Sequence, residues 1–422
     1  MKKLLATMGK SACLLTLGVA STYASQSYIV KVKEGASLLP QKNITIAEKM
    51  NVSFGNFYSV IAEDKVAVDS ISANPDVLYI EENQEYTYSP VNVGAVLEDA
   101  SYSKQWGLKN TGKNSGPFWA PGKKGEDINA EGVWKLSRGS NELKIAVIDT
   151  GVDHTHKDLK ANMWVNEAEK NGEAGVDDDG NGYVDDIHGY DFANNDGDPK
   201  DGHGHGTHCA GIIGAVHDRN GVRGVMNKVK IIGIKFLTDK GSGTTENAIK
   251  SIDYAIKVGA NVMSNSWGGG GFSQALKDSI IAANEAGIIF VAAAGNSRRN
   301  NDTSDTYPAN YEVENVISVG AMDGAGKKAS FSNYGKKTVH VFAPGKDIIS
   351  TVKNNGYQKM SGTSMATPFV SGAMGLLLSR NPNMSPAEAR EQLTATSVKN
   401  GSLDSYTVSG RMDALRLVKN LR

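Results

Sequence analysis

Five short segments of this chain are apolar almost without interruption: residues 144–148, 229–235, 261–264, 288–293 and 316–319. A strand with one face in water alternates apolar and polar side chains. An unbroken apolar run of this length is instead a strand covered on both faces, the habit of parallel sheets. Patterns of helical period lie between these runs, over residues 245–258 and 273–286. Such alternation predicts an α/β fold: a doubly wound, mostly parallel sheet with helices on both faces. Ligands of such folds bind beyond the carboxyl ends of the strands, so chemistry is sought at strand ends and at the helix starts beside them.

The N-terminal part differs in character. Lys2, Lys3 and Lys10 precede a short apolar run over residues 11–20, and Ala24 offers a small residue for cleavage. Residues 1–24 therefore read as a secretory signal peptide. The run is too short to span a bilayer, which needs about 20 apolar residues. Residues 25–88 read as a small self-contained α+β domain, with strands expected near Tyr28 and at residues 77–80. Residues 89–103, with Pro90 and Gly94, read as a linker, and residues 104–422 as the large domain. With 40% hydrophobic and 22% charged residues the chain is composed like a soluble globular protein. Its formal net charge of -1 lacks the basic excess that phosphate binding requires, so nucleic acid is not expected as a partner. Only Cys13 and Cys209 are present. With Cys13 in the removed segment, the mature chain has no internal disulfide and no cysteine-based metal cluster.

Three positions stand out. Asp149 follows the first apolar run, in Asp149-Thr150-Gly151. A carboxylate there can orient a base, bind a cation or merely cap a turn. An aspartic-protease loop would need a second Asp-(Thr/Ser)-Gly to pair with, and the sequence has none. The second is Gly202-His203-Gly204-His205-Gly206-Thr207-His208-Cys209, leading into small residues of helical character. His205, flanked by glycines, reads as the working imidazole, and His208, one turn on, as a buried structural histidine. A zinc site is the rival, but the zinc-protease signature with its glutamate is missing. The third is Gly362-Thr363-Ser364-Met365-Ala366-Thr367-Pro368, entering a segment apolar all round and hence a helix inside the core. Pro368 is expected in its first turn, where N–H groups lack intrahelical partners. Ser364 at such a helix start is either an N-cap or a nucleophile whose developing negative charge meets free N–H groups and the positive end of the dipole. A Gly-x-Ser-x-Ala elbow also occurs in α/β-hydrolases, but those run Ser, Asp, His along the chain, and here the order is Asp, His, Ser.

These three motifs, in this order, resemble those of the subtilisin-like serine proteases. Gln105-Trp106-Gly107 and Gly410-Arg411-Met412-Asp413 extend the likeness to residues 100–422, and His208-Cys209-Ala210 resembles the proteinase K branch. The resemblance implies a secreted serine endopeptidase with Asp149, His205 and Ser364 as its triad and Asn296 as an oxyanion donor. It implies two backbone edges that sandwich an extended peptide, Gly241-Ser242-Gly243 and Ser266-Trp267-Gly268. Ser266, Trp267, Gly268, Ala293, Ala294, Gly295 and Thr306 would line the pocket for the residue before the cut bond. No acidic side chain stands in those segments, so an apolar or broad preference is expected, with Asp305 near enough to alter it. The Tyr307-Pro308 bond is expected cis. Residues 25–88 resemble the family's inhibitory propeptide, which implies self-cleavage between about Tyr88 and Ala100. The expected partners are protein or peptide substrates and the propeptide itself. A monomer without a membrane anchor, extracellular or periplasmic, is expected.

Asp177, Asp179, Asn181, Tyr183 and Asp185 fit the first nine positions of an Asp-x-Asp-x-Asn-Gly calcium loop. The closing glutamate is replaced by His188, and Asp186 is the expected substitute. Structural calcium is therefore the expected cofactor. A match to the family also makes Asp158 a candidate ligand. The alternative function is a catalytically silent calcium-binding surface protein of the same fold. An acid-active relative with Glu in place of His is a further possibility that His205 and Asn296 disfavour.

Overall fold

The computed structural model describes residues 25–87, 91–98, 100–116 and 119–419; the signal-peptide segment lies outside them. The chain opens with strands β1 (Gln26–Val32), β2 (Ile44–Met50) and β3 (Asn56–Ala62), helix α1 (Lys65–Ser72) and β4 (Val77–Glu82). The four strands form an antiparallel sheet in the order β2-β3-β1-β4. Alternation along β1 and β3 divides their side chains between two faces. Tyr28, Val30, Tyr58 and Val60 face α1 and close a small core with Ala67 and Ile71. Ile29 and Phe57 face the other way, and with Met50 they belong to a core cluster of the large domain.

Two short strands follow, β5 (Glu85–Thr87) and β6 (Asn92–Leu97). The linker expected at residues 89–103 thus carries a strand. The valines of β6 meet an unpaired edge, a partner no local pattern reveals.

The large domain runs through α2 (Ala130–Val133), β7 (Gly139–Asp149), α3 (Glu167–Asn171), β8 (Gly189–Asp191), α4 (His205–Gly214), β9 (Lys228–Lys235), β10 (Ser242–Thr244) and α5 (Thr245–Lys257). It continues with β11 (Val262–Asn265), α6 (Gln274–Glu285), β12 (Ile289–Ala293), β13 (Val316–Met322), β14 (Val341–Pro344), β15 (Ile348–Val352), β16 (Gly356–Ser361), α7 (Thr363–Leu378), α8 (Pro386–Thr396) and α9 (Ala414–Lys419). Seven strands make one parallel sheet in the order β14-β13-β12-β11-β7-β9-β8. Ile145 and Val147 of β7 point into the core under α4 and α7, whereas Ala146 and Ile148 point into the core under α5 and α6. Both faces are dry, which is why these runs need no polar alternation. All of α7 is buried. Gly375 lets it approach the sheet, since a Cβ there would stand 2.4 Å from Met226 Sδ.

Helix α7 begins at Thr363, so Pro368 sits in the second turn rather than the first. A proline there cannot donate to the carbonyl four residues back. That carbonyl belongs to Ser364, and it accepts from Ser266 Oγ at 2.9 Å and Cys209 Sγ at 3.5 Å instead. The proline thus frees an acceptor that ties the start of α7 to its neighbours.

Candidate active site

Asp149 ends β7 and His205 begins α4, and neither is exposed to solvent. His205 Nδ1 lies 2.6 Å from Asp149 Oδ1. A carboxylate only accepts, so Nδ1 carries the proton and Nε2 is the basic nitrogen. Thr150 N also donates to Asp149 Oδ1, at 2.7 Å. Gly206 follows the histidine because its backbone packs on the Asp149 loop: a Cβ there would meet Gly151 O at 2.1 Å.

The sequence reading missed Asp201, which sets this corner. Its Oδ1 accepts from His203 N at 2.8 Å, Gly204 N at 2.7 Å and Thr150 Oγ1 at 3.0 Å. Its Oδ2 accepts from Thr207 N at 2.9 Å and Thr207 Oγ1 at 2.7 Å. A buried carboxylate at the start of α4 satisfies N–H groups that have no helical partner, and its charge suits that end of the dipole. The available signal was an acidic residue just ahead of a helix-starting histidine.

Ser364 is the second residue of α7. Its Oγ donates to Ser266 O at 3.0 Å. Cys209 Sγ lies 3.5 Å from Ser364 O and within 4.8 Å of donor atoms of both Asp149 and His205. The three motifs therefore meet around one buried thiol. Burial pushes that thiol well above its ordinary pKa, so it stays protonated and inert. His208 Nε2 donates to Ile348 O at 3.1 Å and Gln358 O at 3.0 Å, and burial lowers its pKa to about 3. It is a structural crosslink between α4 and the β15–β16 hairpin.

Asn296 follows β12. Its Oδ1 accepts from Thr363 N at 2.8 Å and Thr363 Oγ1 at 3.0 Å. Those bonds engage Oδ1, which identifies Nδ2 as the donor end of the amide. A Cβ built on Gly362 would lie 3.4 Å from Asn296 Nδ2 and 3.5 Å from Ser364 N. The two donors therefore border one small space at the start of α7. Thr363 is a second residue the sequence reading missed.

The cleft is filled by the chain itself. Strand β5 pairs antiparallel with β10, Thr87 opposite Ser242 and Tyr86 opposite Gly243, while Thr87 also bridges Gly268. Gly241 makes the left-handed turn before that edge. Tyr86 is fully buried, 5.3 Å edge-on to Trp267, which in turn packs on Phe236. Beyond Thr87 lies a pocket lined by Ser266, Gly268, Ala293, Gly295, Thr306 and Asn333. Ala294 lies beneath, its carbonyl accepting from Asn301 and Asn333. Asn333 is a third missed residue: its Nδ2 also reaches Thr306 Oγ1, and its Oδ1 accepts from Ser297 N and Arg299 N. Among the described residues no charged side chain lines the pocket. Asp305 is held away by Asn310 Nδ2 at 3.0 Å and Tyr307 OH at 3.3 Å. The Tyr307-Pro308 bond is cis, as the sequence reading expects.

The small domain seats this strand. Glu81 accepts from Ser273 Oγ at 2.6 Å and from Gln274 N at 2.8 Å, capping α6. Lys31 pairs with Asp278 at 2.6 Å, and Ser59 Oγ donates to Glu246 at 2.7 Å.

In the acidic loop, carboxylate oxygens of Asp177, Asp179 and Glu169 lie within 4.8 Å of one another. Hard oxygen donors at this spacing fit a calcium ion. Glu169 comes from α3, upstream of the loop, where the sequence reading did not look. Asp186, the expected closing ligand, adjoins this group: it is buried and accepts from Asn166 and Asn181, whose amides also bond Asp179, and from Tyr254, and burial raises its pKa to about 6. Asp185 accepts from Gly175 N, Asn181 Oδ1 from Tyr183 N, and the Tyr183 ring packs on Tyr190 and Phe192. Asp158 is satisfied by Val222 N and Tyr357 OH, both at 3.0 Å.

Comparison with known proteins bears on this geometry. The profile of the Subtilase family matches residues 140–410. A thermophilic serine proteinase of Bacillus sp. (strain AK1) is 35% identical over 91% of this chain and 81% of its own length. Thermitase of Thermoactinomyces vulgaris is 37% identical over 70% of the chain and 94% of its own length. Subtilisin DY of Bacillus licheniformis is 36% identical over 69% of the chain and 93% of its own length.

Proposed function

Since this chain belongs to the subtilase family and is a serine endopeptidase, we propose that it works through Asp149, His205 and Ser364 and is made as a secreted, self-cutting precursor. The buried 2.6 Å contact between Asp149 and His205, with Cys209 Sγ beside both and 3.5 Å from Ser364 O, carries this reading. With Nδ1 held by the carboxylate, Nε2 is the base that takes the Ser364 proton. The alkoxide attacks the peptide carbonyl, and the imidazolium returns its proton to the leaving amine. A water then repeats the sequence on the acyl-enzyme. The oxyanion forms between Asn296 Nδ2 and Ser364 N, donors that border one space at the start of α7. The uncharged pocket supports a preference for uncharged residues before the cut.

In this reading residues 25–88 are an inhibitory propeptide whose tail, β5, lies on the substrate edges as a peptide would. The bond cut falls between Thr87 and Val91. Secretion follows from the leader at residues 1–24; among the described residues no helix is long and apolar enough to cross a membrane. Calcium would be held by Glu169, Asp177 and Asp179, and when bound it would neutralise three clustered carboxylates and brace the loop.

A fluorophosphonate probe tests the triad. Wild-type protein should be labelled and Ser364→Ala should not, and Ser364→Ala should remain an uncut precursor. Equal labelling of both, or a cut Ser364→Ala chain made without added protease, would sink the assignment.

A further inference from the structure

Of the five tryptophans, Trp106, Trp134, Trp164 and Trp267 are at most 9% exposed, whereas Trp119 is 84% exposed. A lone exposed apolar side chain carries no message by itself, but this one stands on a braced loop. At its base Asn110 Nδ2 donates to Glu126 O and Gly324 O, Ser115 Oγ donates to Asn110 Oδ1, and Lys123 N donates to Gly324 O at 2.8 Å. The two arms of the loop touch: a Cβ on Gly112 would lie 3.4 Å from Lys124 N, and one on Gly116 would lie 2.4 Å from Ala120 O. Lys113 stands on one arm and Lys123 and Lys124 on the other, all exposed. Asn114 Nδ2 donates to Ser103 O at 3.0 Å, which sets exposed Lys104 alongside. Glu126 pairs with Lys123 at 2.9 Å; Lys104, Lys113 and Lys124 have no acidic partner within ion-pair reach among the described residues. Residues 103–138 carry seven Lys or Arg against three Asp or Glu, in a chain of net charge -1. A soluble polyanion would pair with these lysines and leave the indole in water. An anionic bilayer engages both, since an indole settles at headgroup level while lysines meet the phosphates.

We propose that this loop is a membrane-surface site: Trp119 enters the interface of a bilayer that contains anionic lipid, and Lys104, Lys113 and Lys124 hold its headgroups. The protein adsorbs reversibly through one ring and three charges, and spans nothing. Adsorption brings it to proteins held at that surface, whatever residues carry its chemistry.

The test uses residues 25–422 carrying Ser364→Ala, to prevent self-digestion, and vesicles of phosphatidylcholine alone or with added phosphatidylglycerol, brominated on the acyl chains. Because the other four indoles are buried, bromine reaches Trp119 alone. Its fluorescence should be quenched by the anionic vesicles, not by phosphatidylcholine, and high salt should reverse the quenching. In flotation with the anionic vesicles, adding Trp119→Ala should weaken binding about tenfold and Lys113→Gln/Lys124→Gln about 25-fold, while Trp119→Phe, which keeps a ring, should bind close to the parent. These side chains are exposed, so the variants keep the fold, and an unchanged Tm checks it. No quenching by the anionic vesicles would overturn the proposal, and polyphosphate binding in that case would assign the lysines to a soluble polyanion. Flotation equal in the parent and in both loop variants would overturn it too, by placing the contact elsewhere. Neither result touches the protease reading.

Discussion

If residues 25–88 inhibit as proposed, replacing Tyr86 by alanine isolates what holds their tail, β5, against β10 and Trp267. The ring is fully buried and stands edge-on to Trp267 at 5.3 Å. A buried aromatic side chain covers about 150–250 Å². Truncation to alanine gives up roughly 120 Å² of that, worth about 3 kcal/mol at ~25 cal/mol per Å². The ring pair adds about 1 kcal/mol. Residual burial in the unbound tail lowers the sum to about 2–3 kcal/mol. With ~1.4 kcal/mol per tenfold, the inhibition constant should rise about 30- to 150-fold. The assay titrates a segment of residues 25–88, wild type or Tyr86→Ala, against processed enzyme hydrolysing a chromogenic peptide. Glu81→Gln, which weakens the cap on α6 and leaves the cleft untouched, serves as the comparison. A change under threefold for Tyr86→Ala would show that the cleft contact contributes little and that docking on α5 and α6 does the inhibiting.

Three further outcomes are expected. Asn296→Ala should lower kcat by ~10²–10³ with KM little changed, a magnitude carried over from a subtilisin lacking its side-chain oxyanion donor; Thr363→Val, which keeps the backbone donor to Asn296, should cost only about tenfold or less. Unfolding of the Ser364→Ala protein in urea should show stability falling as pH drops from 6.5 toward 4. Burial lowers His217 and His340 to about 4, so the unfolded chain takes up protons in that window that the folded chain refuses. The histidine stabilisation is complete above 6.5 and decays below it, by on the order of 3 kcal/mol per histidine, while Asp186, whose carboxyl pKa burial raises to about 6, adds stability in the opposite direction over the same window; a pH slope unchanged in His217→Gln and in His340→Gln would contradict the assignment. Chelation should lower the Tm of wild type in calorimetry but not that of Asp177→Asn/Asp179→Asn, where calcium at ~100 times its Kd would otherwise add about 2.7 kcal/mol.

The fold was legible because the two-faced burial of a parallel sheet forces apolar runs that need no partner to be recognised. Ile145 to Ile148 announce a dry strand whatever packs on them. The residues of the candidate triad were legible for a related reason: each stands at a strand end or helix start, marked locally by glycines or a buried helix. What stayed hidden are groups defined by distant partners. Glu169 joins Asp177 and Asp179 across a turn of chain, and Asn333 reaches back to Ala294 and Thr306. The place of Pro368 was misjudged by one turn because helix starts depend on caps, and here Asn296, from the loop after β12, holds Thr363.

The sequence by itself determined which strands are dry on both sides and which side chains could do chemistry, because periodicity and residue type are local properties. Only the tertiary structure decided that β5 lies on the edge of β10 and β6 on the edge of β16. Edge strands carry no pattern of their own; their partners are backbone groups whose availability exists only once the rest of the chain has folded.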